Sequence, residues 1–229
     1  MITFKYINDA TMISADSSAI ISLSMNCLSG VLNELGKEIA VPPGVYEEVI
    51  AKPIVSQRFA MGSMRINKLF DNRIFLVRKP DPKLTQEILD GFNSAFVIRK
   101  QPMKIIHEGE AEALALTRFH DVEALLIDER TTRLILEDPQ QLRKLLSKQN
   151  NDNVQLDIGK INDVKKLIPP VSIIRSAEIA AIAYEKGILS KYLSEDGGNL
   201  IEAVLCALKF SGCAITWSEI EEYKNTLRA

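Results

Sequence analysis

The chain has 229 residues, 46% hydrophobic and 25% charged, with a formal net charge of −2. That length supports one good-sized core, or a core plus a small appendage, in an ordinary globular protein. The charge balance excludes a global positive field, so contact with a polyanion must come from local patches. No run approaches the ~18 to 20 apolar residues of a membrane span.

In chain order, residues 11–15 read as an apolar strand and 17–35 as helix, broken near Gly30. Residues 38–41 form a short strand, and Pro42-Pro43-Gly44 opens a helix through 50, because proline suits a first turn. Residues 56–70 are amphipathic, 74–78 read as a strand, and 82–99 as one long helix. A helix over 109–119 precedes a strand at 123–127 and a helix from 130. A strand at 171–175 leads into helix 176–186, and 199–227 reads as two helices meeting near Gly212. Solidly apolar strands alternating with helices predict an α/β fold, a parallel central sheet flanked by helices on both faces. One stretch breaks the pattern: LRKLLSKQNNDNVQLDIGKINDVKK, residues 142–166, is polar and weakly periodic, and is expected to form an exposed insertion.

Carboxylates recur at the joints between these elements. Asp16 follows the first strand, Glu47 and Glu48 follow the second, Glu110 opens the helix GEAEALALT, and Asp128 follows ALLI. In a parallel sheet the C-terminal strand ends share one edge, so these scattered acids are expected to converge there. Each alone is explained as a helix cap or first-turn charge. A cap, however, can equally be Ser, Thr or Asn. Two carboxylates about 5 Å apart repel by roughly 3 kcal/mol at an effective dielectric near 20. A converging set therefore calls for a cation, and hard oxygen ligands suit Mg²⁺ or Mn²⁺.

DSSAIISL at 16–23, VPPGVYEEV at 41–49, GEAEALAL at 109–116 and LLIDERTTR at 125–133 together resemble a PIN-domain protein, in that family's order and at about its spacing. The resemblance covers roughly residues 10–136 and resumes at SIIRSAEIAAIAYEKGIL, 172–189. It implies four metal-binding, catalytic acids, Asp16, Glu48, Glu110 and Asp128, supporting hydrolysis of RNA phosphodiesters with Mg²⁺ or Mn²⁺. Ser18 matches a small hydroxyl residue that supports the first acid. The pattern departs from the family where Glu110 replaces the more typical Asp, and where Ile127-Asp128-Glu129 replaces T-x-D. Glu129 for Asp128, and Glu47 for Glu48, stay open.

The implied organisation is a PIN-like nuclease domain over 1–190, with the insertion at about 140–168, and a C-terminal helical extension over 191–229 packed on it. Arg130 and Arg133, one turn apart after Asp128, are candidate phosphate contacts alongside Ser18. The basic run VIRKQPMK, 97–104, reads as ordinary surface charge. His107 and His120 lack HxxxH spacing and are expected at the surface or in caps. Cys27, Cys206 and Cys213 have no CxxC spacing and are expected to be reduced, buried small hydrophobes. Trp217 is expected in the core or an interface. MITFKYINDA lacks the apolar run of a signal peptide, so the expected location is cytoplasmic, without a membrane. Expected partners are RNA, a second copy in a homodimer, and an antitoxin or processing-complex protein. Two other readings compete: a non-catalytic PIN-like module that binds RNA or protein, and an aspartate-based phosphotransferase. Ser18 stands where the latter commonly carries the second Asp of D-x-D.

Overall fold

The computed structural model describes residues 12–119, 121–194 and 199–227. In chain order the elements are β1 (Met12–Ala15), α1 (Ser17–Met25), α2 (Ser29–Glu34), β2 (Ile39–Val41), α3 (Pro43–Tyr46), α4 (Ala60–Asp71), β3 (Phe75–Val77) and α5 (Pro82–Ala95). There follow β4 (Phe96–Ile98), β5 (Gln101–Pro102), α6 (Glu108–Leu116), β6 (Val122–Leu126), α7 (Arg130–Glu137), α8 (Pro139–Asn150), β7 (Gln155–Leu156) and α9 (Ile158–Leu167). The chain closes with β8 (Ser172–Ile174), α10 (Ser176–Glu185), α11 (Leu200–Phe210) and α12 (Trp217–Leu227). Among the described residues, no helix is long and apolar enough to cross a membrane.

Five strands form one sheet in the order β3-β2-β1-β6-β8, every pair parallel. β1 is central. The chain builds outward from it through β2 to β3, then returns to place β6 on its other side. The strand order therefore reverses between β1 and β6, where open parallel sheets leave a crevice beyond their C-terminal ends. Both faces are covered, which is why the strands are apolar throughout. Ile13, Ala15, Ala124 and Leu126 belong to a core shared with α1, α2, α4 and α10 to α12. Leu125 and Ile127 belong to a second core with α5 to α9. Ser14 is fully buried, and its hydroxyl donates to the Ala113 carbonyl of α6 at 2.7 Å.

Two expectations are corrected here. Helix 82–99 ends at Ala95, and Phe96–Ile98 becomes a strand. It pairs antiparallel with β5 on one side and β7 on the other. The hairpin turn is Arg99-Lys100, both left-handed at φ 50° and 65°, the backbone of a type I′ turn. No Asn-Gly or Asp-Gly announces it. Likewise, 142–166 is not an exposed insertion. It forms most of α8, then β7 and α9, and it buries Leu142, Leu146, Val154, Ile161 and Val164. Asp138 caps α8 through the Gln141 N–H, with Pro139 in the first turn. Asp157 caps α9 through the Lys160 N–H. α9 lies so close to α5 that a Cβ on Gly91 would run into Val164 Cγ2. Gly91→Ala should therefore destabilise the fold by about 1 kcal/mol net, a better helix propensity offsetting part of an overpacking cost of ~1–3 kcal/mol. A denaturant midpoint that stays level or rises would contradict this packing.

Smaller corrections concern exposure. α1 ends where Cys27 turns left-handed, φ 59°, and Cys27 is exposed rather than buried. Trp217 is not a core residue. It is 55% exposed and stacks edge-on against Phe210 at the corner between α11 and α12.

Candidate active site

Asp16 sits at the crevice because it ends β1 and starts α1. Its N–H donates to the Leu126 carbonyl of β6, 3.0 Å away, so the strand ladder fixes its backbone. Its φ and ψ, −87° and 160°, are those of a helix N-cap. Oδ2 accepts from the Ser18 N–H at 3.1 Å and the Ser18 hydroxyl at 2.7 Å. Oδ1 is buried and has no hydrogen-bond partner. Burial pushes the carboxyl above its ordinary value against the pull of Ser18, and the charge of Glu48 adds to the rise.

Glu48 reaches the same place by an irregular route. α3 continues into a π-helical turn over Glu47–Ala51, with the Lys52 N–H donating to the Glu47 carbonyl at 2.9 Å. This turn leaves Glu47 exposed and Glu48 half-buried. Glu48 Oε1 lies 3.7 Å from where a Cβ on Gly109 would stand, beside the first turn of α6. π-turns of this kind are frequent at functional sites.

Glu110 is the third helical residue of α6. Oε2 accepts from the His107 N–H at 2.6 Å, and Oε1 from the Thr132 hydroxyl of α7. Its carboxyl is pushed up to about 7, first by burial and then by the charges of Asp16 and Glu129, against its hydrogen bonds. His107 is the exposed N-cap of α6. His120 lies outside the described residues. Glu112 turns to α3, where Oε2 accepts from the Gly44 N–H at 2.6 Å. Burial raises it, and the charges of Glu108 and Glu48 add to the rise. It is a further acid at the margin, and its helical phase is its only signal in the sequence.

Asp128 behaves differently. Its Oδ1 accepts from the Ser176 N–H at 2.7 Å and its Oδ2 from the Ser176 hydroxyl at 2.6 Å. Both oxygens are thereby engaged at the start of α10. Its carboxyl is raised by burial, with hydrogen bonds from Ser176, Cys213 and Ser22 opposing. Its own N–H donates to Ser18 Oγ at 3.1 Å, so the Ser18 hydroxyl bridges Asp128 and Asp16. Glu129, the next residue, caps α7 through the Thr132 N–H at 2.7 Å and lies close enough to raise Glu110. The charge of Glu48 thus reaches Asp16, those of Asp16 and Glu129 reach Glu110, and Asp128 is joined to Asp16 through Ser18. Among the described residues, no three His, Cys, Asp or Glu side chains already stand in a metal-holding arrangement. Glu110 is held by Thr132 and His107 instead. Arg130 is exposed on the first turn of α7, while Arg133 pairs with Glu137 at 3.5 Å.

What this arrangement offers is a set of carboxylates at the reversal point of a parallel sheet, three of them, Asp16, Glu110 and Asp128, buried. A family profile described as a PIN domain matches residues 12–141, more than half of the chain. Nothing among curated proteins or solved structures matches it. The profile spans every strand of the large sheet except β8, and all of the acids above. On that match and on its all-parallel five-stranded sheet between helices, the chain belongs to the PIN-domain family.

Proposed function

We propose that the protein is a divalent-metal-dependent endoribonuclease whose metal group is Asp16, Glu48, Glu110 and Glu129. PIN domains are commonly nucleases and typically use divalent metals. The observation that carries the reading is Asp16 Oδ1, buried without a partner while Glu48 beside it raises the same carboxyl. A buried, unpaired, acceptor-only oxygen is unfavourable unless a cation or donor meets it. Neither His nor Cys belongs to the group, which fits Mg²⁺ or Mn²⁺ rather than a softer metal. When bound, such an ion acidifies a coordinated water and stabilises charge on the pentavalent phosphate.

The chain's own residues supply the rest. Ser18 fixes which Asp16 oxygen is tied back and which faces the crevice. Thr132 and the His107 N–H hold the Glu110 carboxyl in place, and from there it would help hold the ion. Arg130, exposed beside Glu129, would meet a backbone phosphate in this reading. Asp128, assigned as a ligand from the sequence, is reassigned to positioning because Ser176 engages both its oxygens. Three unpaired cysteines accord with work in a reducing cytoplasm.

The test is cleavage of a labelled single-stranded RNA with Mn²⁺, Mg²⁺ or EDTA. Activity should require metal and vanish in EDTA. Glu129→Gln should lower kcat by about two orders of magnitude or more, since a lost ligand removes several kcal/mol of charge stabilisation. Asp128→Asn should cost only about tenfold, the scale of a supporting residue. The opposite ranking would return Asp128 to the ligand set. RNA binding without turnover in any metal would instead establish the non-catalytic module.

A further inference from the structure

The C-terminal helices are joined to the acidic edge by a continuous path of buried polar contacts. Arg175, the residue before α10, is 7% exposed. Its guanidinium meets Glu178 Oε1 at 2.5 Å, Glu219 Oε1 of α12 at 2.9 Å and the Ala214 carbonyl at 2.9 Å. The Tyr223 hydroxyl of α12 donates to Glu178 Oε1 at 2.7 Å. From this lock two routes reach Asp128. The Ala214 N–H donates to the Asp128 carbonyl at 3.1 Å. Ser176, next to Arg175, binds both carboxylate oxygens of Asp128. Asp128 in turn donates its N–H to Ser18 Oγ, and Ser18 donates to Asp16 Oδ2. Glu129 is the next residue along.

We propose that Arg175, Glu178, Glu219 and Tyr223 make α12 a positioning element of the catalytic edge, acting through Ser176, Asp128 and Ser18 on Asp16 and Glu129. The inference rests on the ribonuclease reading. Two physical points support it. First, a buried ion pair contributes little net stability, because desolvation offsets attraction, and well-packed apolar residues of the same volume often do as well. What such a pair does supply is fixed geometry, and this one fixes the backbone at 128–129 from its carbonyl, its N–H and its side chain. Second, contacts in a low-dielectric interior reinforce one another, so a change at one end is felt along the path. None of the four residues lies within the profile match at 12–141.

Removing Arg175 would strand the buried Glu178 carboxylate, so the test uses gentler variants. Glu219→Gln keeps shape and removes charge; Tyr223→Phe removes one hydroxyl and keeps the ring. Each is measured in the full chain for Mn²⁺ affinity by electron paramagnetic resonance, for kcat and KM on single-stranded RNA, and for melting temperature. The expected result is Mn²⁺ affinity and kcat each about tenfold lower, with KM within about twofold. Glu219→Asp, which restores the charge, should recover part of the loss. A lowered melting temperature with Mn²⁺ affinity and kcat unchanged would make the lock purely structural and overturn the inference. Wild-type protein that binds no Mn²⁺ would instead overturn the ribonuclease reading, and this inference with it. Mn²⁺ binding without cleavage would still decide the inference, through the affinities of the variants.

Discussion

Asp16→Asn is expected to leave the fold intact and to abolish metal-dependent RNA cleavage. Asn caps a helix as well as Asp does, so α1 keeps its start and the Ser18 N–H its acceptor. What disappears is the negative charge at Oδ1, the buried oxygen with nothing to bind. A ligand's share of transition-state stabilisation is several kcal/mol, and each 1.36 kcal/mol is tenfold in rate. The expected fall in kcat is therefore about 10³-fold or more. Circular dichroism should be unchanged. Metal-free Asp16→Asn should melt no lower than wild type, because the substitution removes a desolvated charge. Substantial remaining turnover would take Asp16 out of the site.

The second large effect is a reversal of the usual pH dependence in the metal-free protein. Asp16, Glu110 and Asp128 are all raised above their unfolded values, mainly by burial. An acid whose folded pKa is raised binds more protons in the native state than in the unfolded one. Stability then falls as pH rises, beginning near the ordinary carboxylate value and ending above the folded pKa. For Glu110 the window runs from about 4.5 to about 7. Its share is about 3 kcal/mol at most, on 1.36 kcal/mol per unit. Melting in EDTA should accordingly peak on the acid side of neutrality and decline toward pH 8. Mn²⁺ at pH 7.5 should restore the loss, because a ligand that binds only the native state stabilises it. Glu110→Gln should flatten the metal-free slope. A metal-free melting temperature that rises steadily from pH 5 to 8 would show that burial does not raise these carboxyls.

Much of this was legible in the chain itself, for reasons that can be named. The strands were readable because a sheet covered on both faces demands uninterrupted apolar residues, as in Met12–Ala15 and Val122–Leu126. Asp16 and Glu110 were readable because a cap and a first-turn acid have fixed places relative to a strand or helix start. The choice between Asp128 and Glu129 was not. Neighbouring residues leaving a strand point to different sides, and the proposed choice of Glu129 rests on Ser176, 48 positions from Asp128. The segment 142–166 misled because surface helices bury one stripe only. Leu142 and Leu146, and Ile161 and Val164, stand one turn apart among mostly polar residues. The Arg99-Lys100 turn misled because both residues adopt a backbone that Gly or Asn ordinarily signals.

The place of β1 bears on how such a fold comes into being on the ribosome. β1 pairs with β2 soon after both are made, yet its other edge stays open until β6 has emerged. Through that interval β1 is the bare outer edge of a half-sheet with β2 and β3, the kind of edge that invites wrong partners. Over the same interval Asp16 and Glu48 exist without Glu129, and Ser18 without the Asp128 N–H that steadies it. A partly translated chain therefore has no assembled acidic edge. The cutting power proposed here is withheld until the strand that protects the sheet also completes the site.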